Sequence, residues 1–152
     1  MARGREKETE HTGEARYLDE IYKTAKTGAD TVLNFMPYVR EDGMRRHLTL
    51  QLDGYERCAA CAAEELEAMG ACVKDKSAVR RFSARAMAAM NTMVSSTQSH
   101  VAAMLLQSTN ANISDMTRIL NAEKESEAPS RALAHDLAAF EEYNRAKLLR
   151  YL

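Results

Sequence analysis

The sequence predicts an all-α protein: an antiparallel up-down-up-down four-helix bundle whose third helix is broken near Asn110-Asn112. Three observations predict it. The 152 residues hold two prolines, six glycines and no tryptophan, with alanine, leucine, methionine, glutamate and arginine abundant, a composition that favours helix. Apolar residues recur every three or four positions over long stretches, the spacing that gathers side chains on one helical face. No stretch alternates apolar and polar residues as a half-buried strand does. A chain of this length suits one domain.

Residues 1–12 crowd charges of both signs together and read as a flexible, solvated tail, leaving 13–152 as the single domain. The first helix is expected from about Gly13 to Arg40, with Leu18, Ile21, Ala25, Gly28, Val32, Phe35 and Val39 as its stripe. Gly28 on the buried side predicts close approach of a neighbouring helix, and Pro37 predicts a kink or an early end. Asp30 and Asn34 flank this stripe as exposed or capping groups. A short connection at Arg40–Gly43 offers Asp42 as an N-cap for the second helix, about Gly43 to Met69. The second seam reads Met44, Leu48, Gln51, Tyr55, Cys58, Ala62 and Met69, with Leu52, Ala59 and Leu66 alongside, so Gln51 and Tyr55 carry polar atoms inward. Gly70 is a natural stop.

The third helix organises the chain. Ser77 is its candidate cap, and its seam runs Val79, Phe82, Ala86, Met90, Met93, Thr97, His100, Met104 and Gln107. The first half is apolar, whereas Thr97, His100 and Gln107 bring polar groups to the buried side or its edge. Asn110-Ala111-Asn112 predicts a break, since asparagine tolerates left-handed backbone, and Ile113 to Leu120 resumes the helical pattern. Asn121 to Pro129 is a charged loop and Ser130 precedes the last helix, about Arg131 to Tyr151. Its seam is Leu133, Leu137, Phe140, Asn144, Leu148 and Tyr151, with Glu141 beside it.

A net charge of −1 supplies no field for nucleic acid, and no apolar run approaches the roughly 20 residues needed to span a bilayer. The charged N-terminus does not resemble a secretory signal, and three cysteines (Cys58, Cys61, Cys72) make no disulfide framework, so a cytoplasmic protein is expected. Cys58-Ala-Ala-Cys61 falls mid-helix, where small-residue packing explains it better than redox or zinc chemistry. The helix-three methionines (Met87, Met90, Met93, Met104, Met116) read as core filler, although a small-ligand pocket at the Met90–Met104 level is an alternative. Lys74, Lys76, Arg80, Arg81 and Arg85 read as a solvated helix start, and no phosphate-binding glycine loop or hydrolase motif occurs.

A helical bundle can house a carboxylate-bridged two-metal centre, which needs Glu-x-x-His pairs on two helices and a Glu on each of the others. The residues three before His47, His100 and His135 are Met44, Thr97 and Ala132, and only the tail pair Glu8-x-x-His11 has the spacing. The primary reading is therefore a buried polar layer of Gln51, Tyr55, His100, Gln107, Glu141 and Asn144 that satisfies itself and binds no cofactor. The alternative is a degenerate iron, manganese or zinc site on His100 and Glu141, close to Gln51, Tyr55 and Asn144.

At Ser99-His100-Val101-Ala102-x-Met104-Leu105-x-Gln107-x-x-Asn110 the chain resembles a group of short, uncharacterised bacterial helical proteins, and more broadly the ferritin-like four-helix-bundle class. The similarity covers roughly residues 17–152. In that group a glutamate follows the Ser-His-x-Ala stretch and a glycine follows the glutamine; here Ala103 and Ser108 stand instead. The resemblance implies a fold, and fold does not carry chemistry. The function expected is non-catalytic: a helical protein acting through association, as a homo-oligomer, with Tyr22, Met36, Phe82 and Leu106 as a second apolar face.

Overall fold

The computed structural model describes residues 2–73 and 97–152. Among them the chain forms four α-helices and no strand: α1 (Ala2–Phe35), α2 (Asp42–Ala68), α3 (Gln98–Ala122) and α4 (Pro129–Leu148), with short 3-10 turns at Met36–Tyr38 and Leu149–Tyr151. The expected cap at Ser77, the seam from Val79 to Met93, Met87, Phe82 and the basic cluster from Lys74 to Arg85 lie outside the described residues.

α1 begins at Ala2 rather than near Gly13, although residues 3–12 are exposed throughout. Its stripe from Leu18 to Phe35 is buried as the spacing predicts. Pro37 enters where the α-helix gives way to the 3-10 turn, because proline has no N–H for the helical ladder. α2 starts one residue before the expected position: Glu41 is the N-cap residue and Asp42 the first helical one, its carboxylate well placed against the helix dipole. α2 ends as its glycine predicts. Gly70 takes φ +71°, the Ala71 N–H donates to Leu66 O (2.9 Å) and the Gly70 N–H to Glu67 O (2.9 Å), which occupies two otherwise orphaned carbonyls.

α3 departs most from expectation. Thr97 is extended (φ −78°, ψ 156°), and its Oγ1 accepts from the His100 N–H at 3.1 Å, the mark of an N-cap. A helix thus starts at Gln98 where the periodicity predicts an uninterrupted one. The buried face becomes Val101, Leu105, Thr109, Asn112, Met116 and Ile119, one position beyond the expected seam. That shift turns His100 and Gln107 to solvent. No break occurs at Asn110–Asn112: Asn110 is exposed, and Asn112 sends its carboxamide to a buried acceptor instead of competing for the backbone.

In α4, which starts at Pro129, Ser130 lies inside the first turn and is fully buried. Ala128, the N-cap residue, offers no side-chain acceptor. The acceptor comes from α1, where Glu14 Oε1 receives the Ser130 N–H (2.8 Å) and Oε2 receives its hydroxyl (2.5 Å). Glu123 Oε2 also lies 2.7 Å from that hydroxyl.

Contacts along the helices fix their directions. α1 opposes α2: the Lys26 ammonium donates to Glu56 (3.0 Å), and farther on the Arg45 guanidinium donates to Val39 O (2.7 Å). The carboxamide of Gln98, at the start of α3, accepts from the Arg40 and Glu41 N–H groups and donates to Tyr38 O (3.2 Å). α3 therefore starts at the end where α2 starts, and the two run the same way. Met69, beyond the end of α2, lines a groove with Glu14 and Glu123 at the opposite end. Among the described helices, then, α1 opposes α2 while α2 and α3 run the same way, with a helix start at Thr97. Tyr22 and Met36 pack against the core and Leu106 belongs to it, so these residues make no second apolar face.

A candidate site around buried Glu141

Facing positions on three helices bring six polar side chains to one level of the core. α2 contributes Gln51 and Tyr55, one turn apart; α3 contributes Thr109 and Asn112; α4 contributes Glu141 and Asn144. The i, i+3 and i, i+4 spacings put each pair on its helix's inner face. Glu141 and Asn144 have no exposed surface, Tyr55 has 1% and Gln51 2%. Four of the expected layer residues thus assemble. His100 and Gln107 do not join them, since both are exposed.

The carboxylate is the hub. The Tyr55 hydroxyl lies 2.8 Å from both Glu141 oxygens, and Asn112 Nδ2 donates to Oε1 at 2.6 Å. Gln51 Nε2 donates to the Tyr55 oxygen at 3.1 Å, extending the chain of donors to a third helical turn. The Tyr55 ring is held between Gly28 of α1 and Phe140 of α4, which it meets edge to face at 5.3 Å. A Cβ on Gly28 would stand 2.5 Å from Tyr55 Cζ, so the glycine is what lets α1 approach the ring.

Burial without a cationic partner raises the proton affinity of Glu141. Its carboxyl is pushed up to about 7 by desolvation, and the hydrogen bonds from Asn112 and Tyr55 and the nearby Thr109 and Asn144 only partly offset this. Tyr55 is held well above the usual phenol range by desolvation and then by the adjacent carboxylate, so it stays a neutral donor. Cys58, half-buried one turn along α2, is pushed up to about 12 for the same first reason. The layer also holds unpartnered atoms: Gln51 Oε1, Thr109 Oγ1 and both carboxamide atoms of Asn144. Thr109 and Asn144 stand close enough to influence the carboxylate, but outside hydrogen-bonding geometry.

The metal alternative does not assemble. His100 sits exposed in the first turn of α3, twelve residues and about 18 Å of helix before Asn112, whereas Glu141 is enclosed. Among the described residues no three His, Cys, Asp or Glu side chains converge. One carboxylate surrounded by amides and hydroxyls is a poor donor set for iron, manganese or zinc, which favour imidazole, thiolate or several carboxylates. Glu8 and His11 are both exposed on α1. Cys58 is half-buried against the core and Cys61 is exposed, consistent with packing rather than chemistry for the first of them.

No family model, curated protein or solved structure matches the chain.

Spacing alone missed Thr109, Asn112 and Glu14. The first two were available in principle, since Leu105, Thr109, Asn112, Met116 and Ile119 form a 3-4 series once Thr97 is taken as a cap. Glu14 had no local signal: its partner is 116 residues away. No helix among the described residues is long and apolar enough to cross a membrane.

Proposed function

We propose that this chain is a non-catalytic, cytoplasmic four-helix bundle that works by associating with a second copy of itself through the seam between α2 and α4. One observation carries the reading. Leu50 is 66% exposed and Tyr143 55% exposed, and they flank an apolar strip on neighbouring helices. The His47 ring bridges them, one turn before Leu50 on α2 and 6.2 Å from the Tyr143 ring. Half-buried Phe140 continues the strip over Gly54, one turn before Tyr143. The Lys147 ammonium lies 5.4 Å from the Tyr143 ring centroid and supplies a polar rim.

Aromatic and leucine side chains with charged neighbours make the usual centre and margin of an interface. A two-fold contact counts each residue twice, so burying the exposed two-thirds of Leu50 contributes about 2–4 kcal/mol across the pair. A net charge of −1 leaves little self-repulsion to oppose it. Among the described helices α2 and α3 run parallel, an arrangement also met in the ferritin-like bundles that the sequence resembles. Such bundles hold metals in their core on Glu-x-x-His pairs, whereas Glu141-x-x-Asn144 and Thr109-x-x-Asn112 carry amides where histidines and carboxylates would be needed.

Size-exclusion chromatography with light scattering tests the association. The expected result is a dimer at micromolar concentration that becomes monomeric in Leu50→Lys and in Tyr143→Lys, with the helical circular dichroism retained. A monomeric wild-type protein refutes the reading.

A further inference from the structure

A negative charge enclosed by protein is costly unless a cation or a proton neutralises it. The described hydrogen-bond partners of Glu141, Tyr55 and Asn112, are neutral, and no cation among the described residues contributes to its electrostatics. The groups facing it can be taken helix by helix. From α2 come Tyr55 and Cys58, both kept neutral by burial; from α3 come the neutral Thr109 and Asn112; from α4 comes the neutral Asn144, with Asp136 acting on Cys58. α1 brings Gly28 against the Tyr55 ring and, on the far side of Asn112, the charged Arg16, Asp19, Glu20 and Lys23.

The unpartnered atoms point to what neutralises the charge. Both carboxylate oxygens already receive donors, whereas Gln51 Oε1 is a buried acceptor with nothing to accept, and Thr109 Oγ1 and both carboxamide atoms of Asn144 are unpartnered as well. An ionised carboxylate has no hydrogen to offer them. A protonated one has a single O–H donor and needs no cation beside it. An alkali ion would need room as well as oxygens; a proton needs none.

Access is present too. Asn112, which donates to Glu141, also lines a groove of about 370 Å³ between α1 and α3 with Ser108, Thr24 and Asp115. The carboxyl is therefore one side chain from solvent.

We propose that Glu141 is a proton-binding site: it takes one proton from solvent in the folded protein and releases it again without unfolding. The ligand is the proton. The inference is independent of the association proposed above.

Infrared difference spectra of the full chain, recorded as pH is raised, test it. The expected result is a carbonyl band of a protonated, dehydrated carboxyl that disappears with a midpoint of about 7 and is missing in Glu141→Gln. Tyr55→Phe removes a donor to the ionised form and should move the midpoint upward, which identifies the band even if Glu141→Gln does not fold; a merely structural carboxyl would show no such titration. A carboxyl that stays ionised down to the ordinary glutamate range overturns the proposal. So does a midpoint that falls as potassium or sodium is raised at constant ionic strength, since the site would then belong to an alkali ion.

Discussion

Replacing Gly28 by alanine should destabilise the protein, although alanine is the better helix former by about 1 kcal/mol. The added Cβ would meet three atoms of the Tyr55 ring, at 2.5, 2.6 and 2.8 Å, inside any real contact distance. The ring has 1% of its surface exposed and Phe140 against its other side, so it cannot swing out. Overpacking of this kind costs about 1–3 kcal/mol. A displaced ring also draws the Tyr55 hydroxyl away from Glu141, and a hydrogen bond to a charged group is worth about 1.5–3 kcal/mol. Subtracting the helix-forming gain leaves a net loss of roughly 1.5–5 kcal/mol. Urea unfolding followed by circular dichroism reads this directly. Gly13→Ala is the control: nothing lies within 4 Å of its Cβ, so it should be neutral or stabilising by up to about 1 kcal/mol. In a Tyr55→Phe background the cost of Gly28→Ala should shrink towards the packing term alone. A Gly28→Ala protein as stable as wild type would refute the close approach.

Three further outcomes follow. Glu141 holds its proton more tightly folded (about 7) than unfolded (4.5), so its contribution to stability is complete below about pH 4.5 and is lost as pH rises through 7. The difference amounts to about 3 kcal/mol, and Glu141→Gln, which resembles the protonated form, should lack that slope in urea titrations across the same range. Glu14→Ala removes the acceptor at the start of α4 and should cost about 1–2 kcal/mol, with hydrogen exchange accelerated first at Ser130 to Ala132. With its thiol near 12, Cys58 is thiolate in only about one molecule in ten thousand at pH 8, so alkylation should label Cys61 and Cys72, both exposed, well before it.

What could be read in advance was local. Gly28, Pro37 and Gly70 each act through their own backbone or missing side chain, and each does in the fold what its chemistry dictates. Gln51, Tyr55, Glu141 and Asn144 could be placed inside because they fall on or beside unbroken apolar seams within single helices. His100 and Gln107 were misplaced by one residue of register. A helix boundary at Thr97 resets the phase, and a capping threonine is the same residue type as one in mid-helix. Asn112 was misread for a different reason: an asparagine without a partner breaks helices, and its partner lies on another helix. The pairing of Asn112 with Glu141 is tertiary, and periodicity carries no information about it.

The cap that α4 borrows from Glu14 has a consequence for the order in which the chain folds. Helix nucleation is the costly step, and a helix of 20 residues starting at Ala128-Pro129 has no side chain of its own to close the first turn. That turn is completed only when α1 is already helical and lying alongside, so α4 should be a late and dependent element. A nascent chain whose α1 is misplaced would leave α4 frayed at Ser130 and Glu141 unhoused, a state open to solvent and to proteolysis rather than a stable alternative fold.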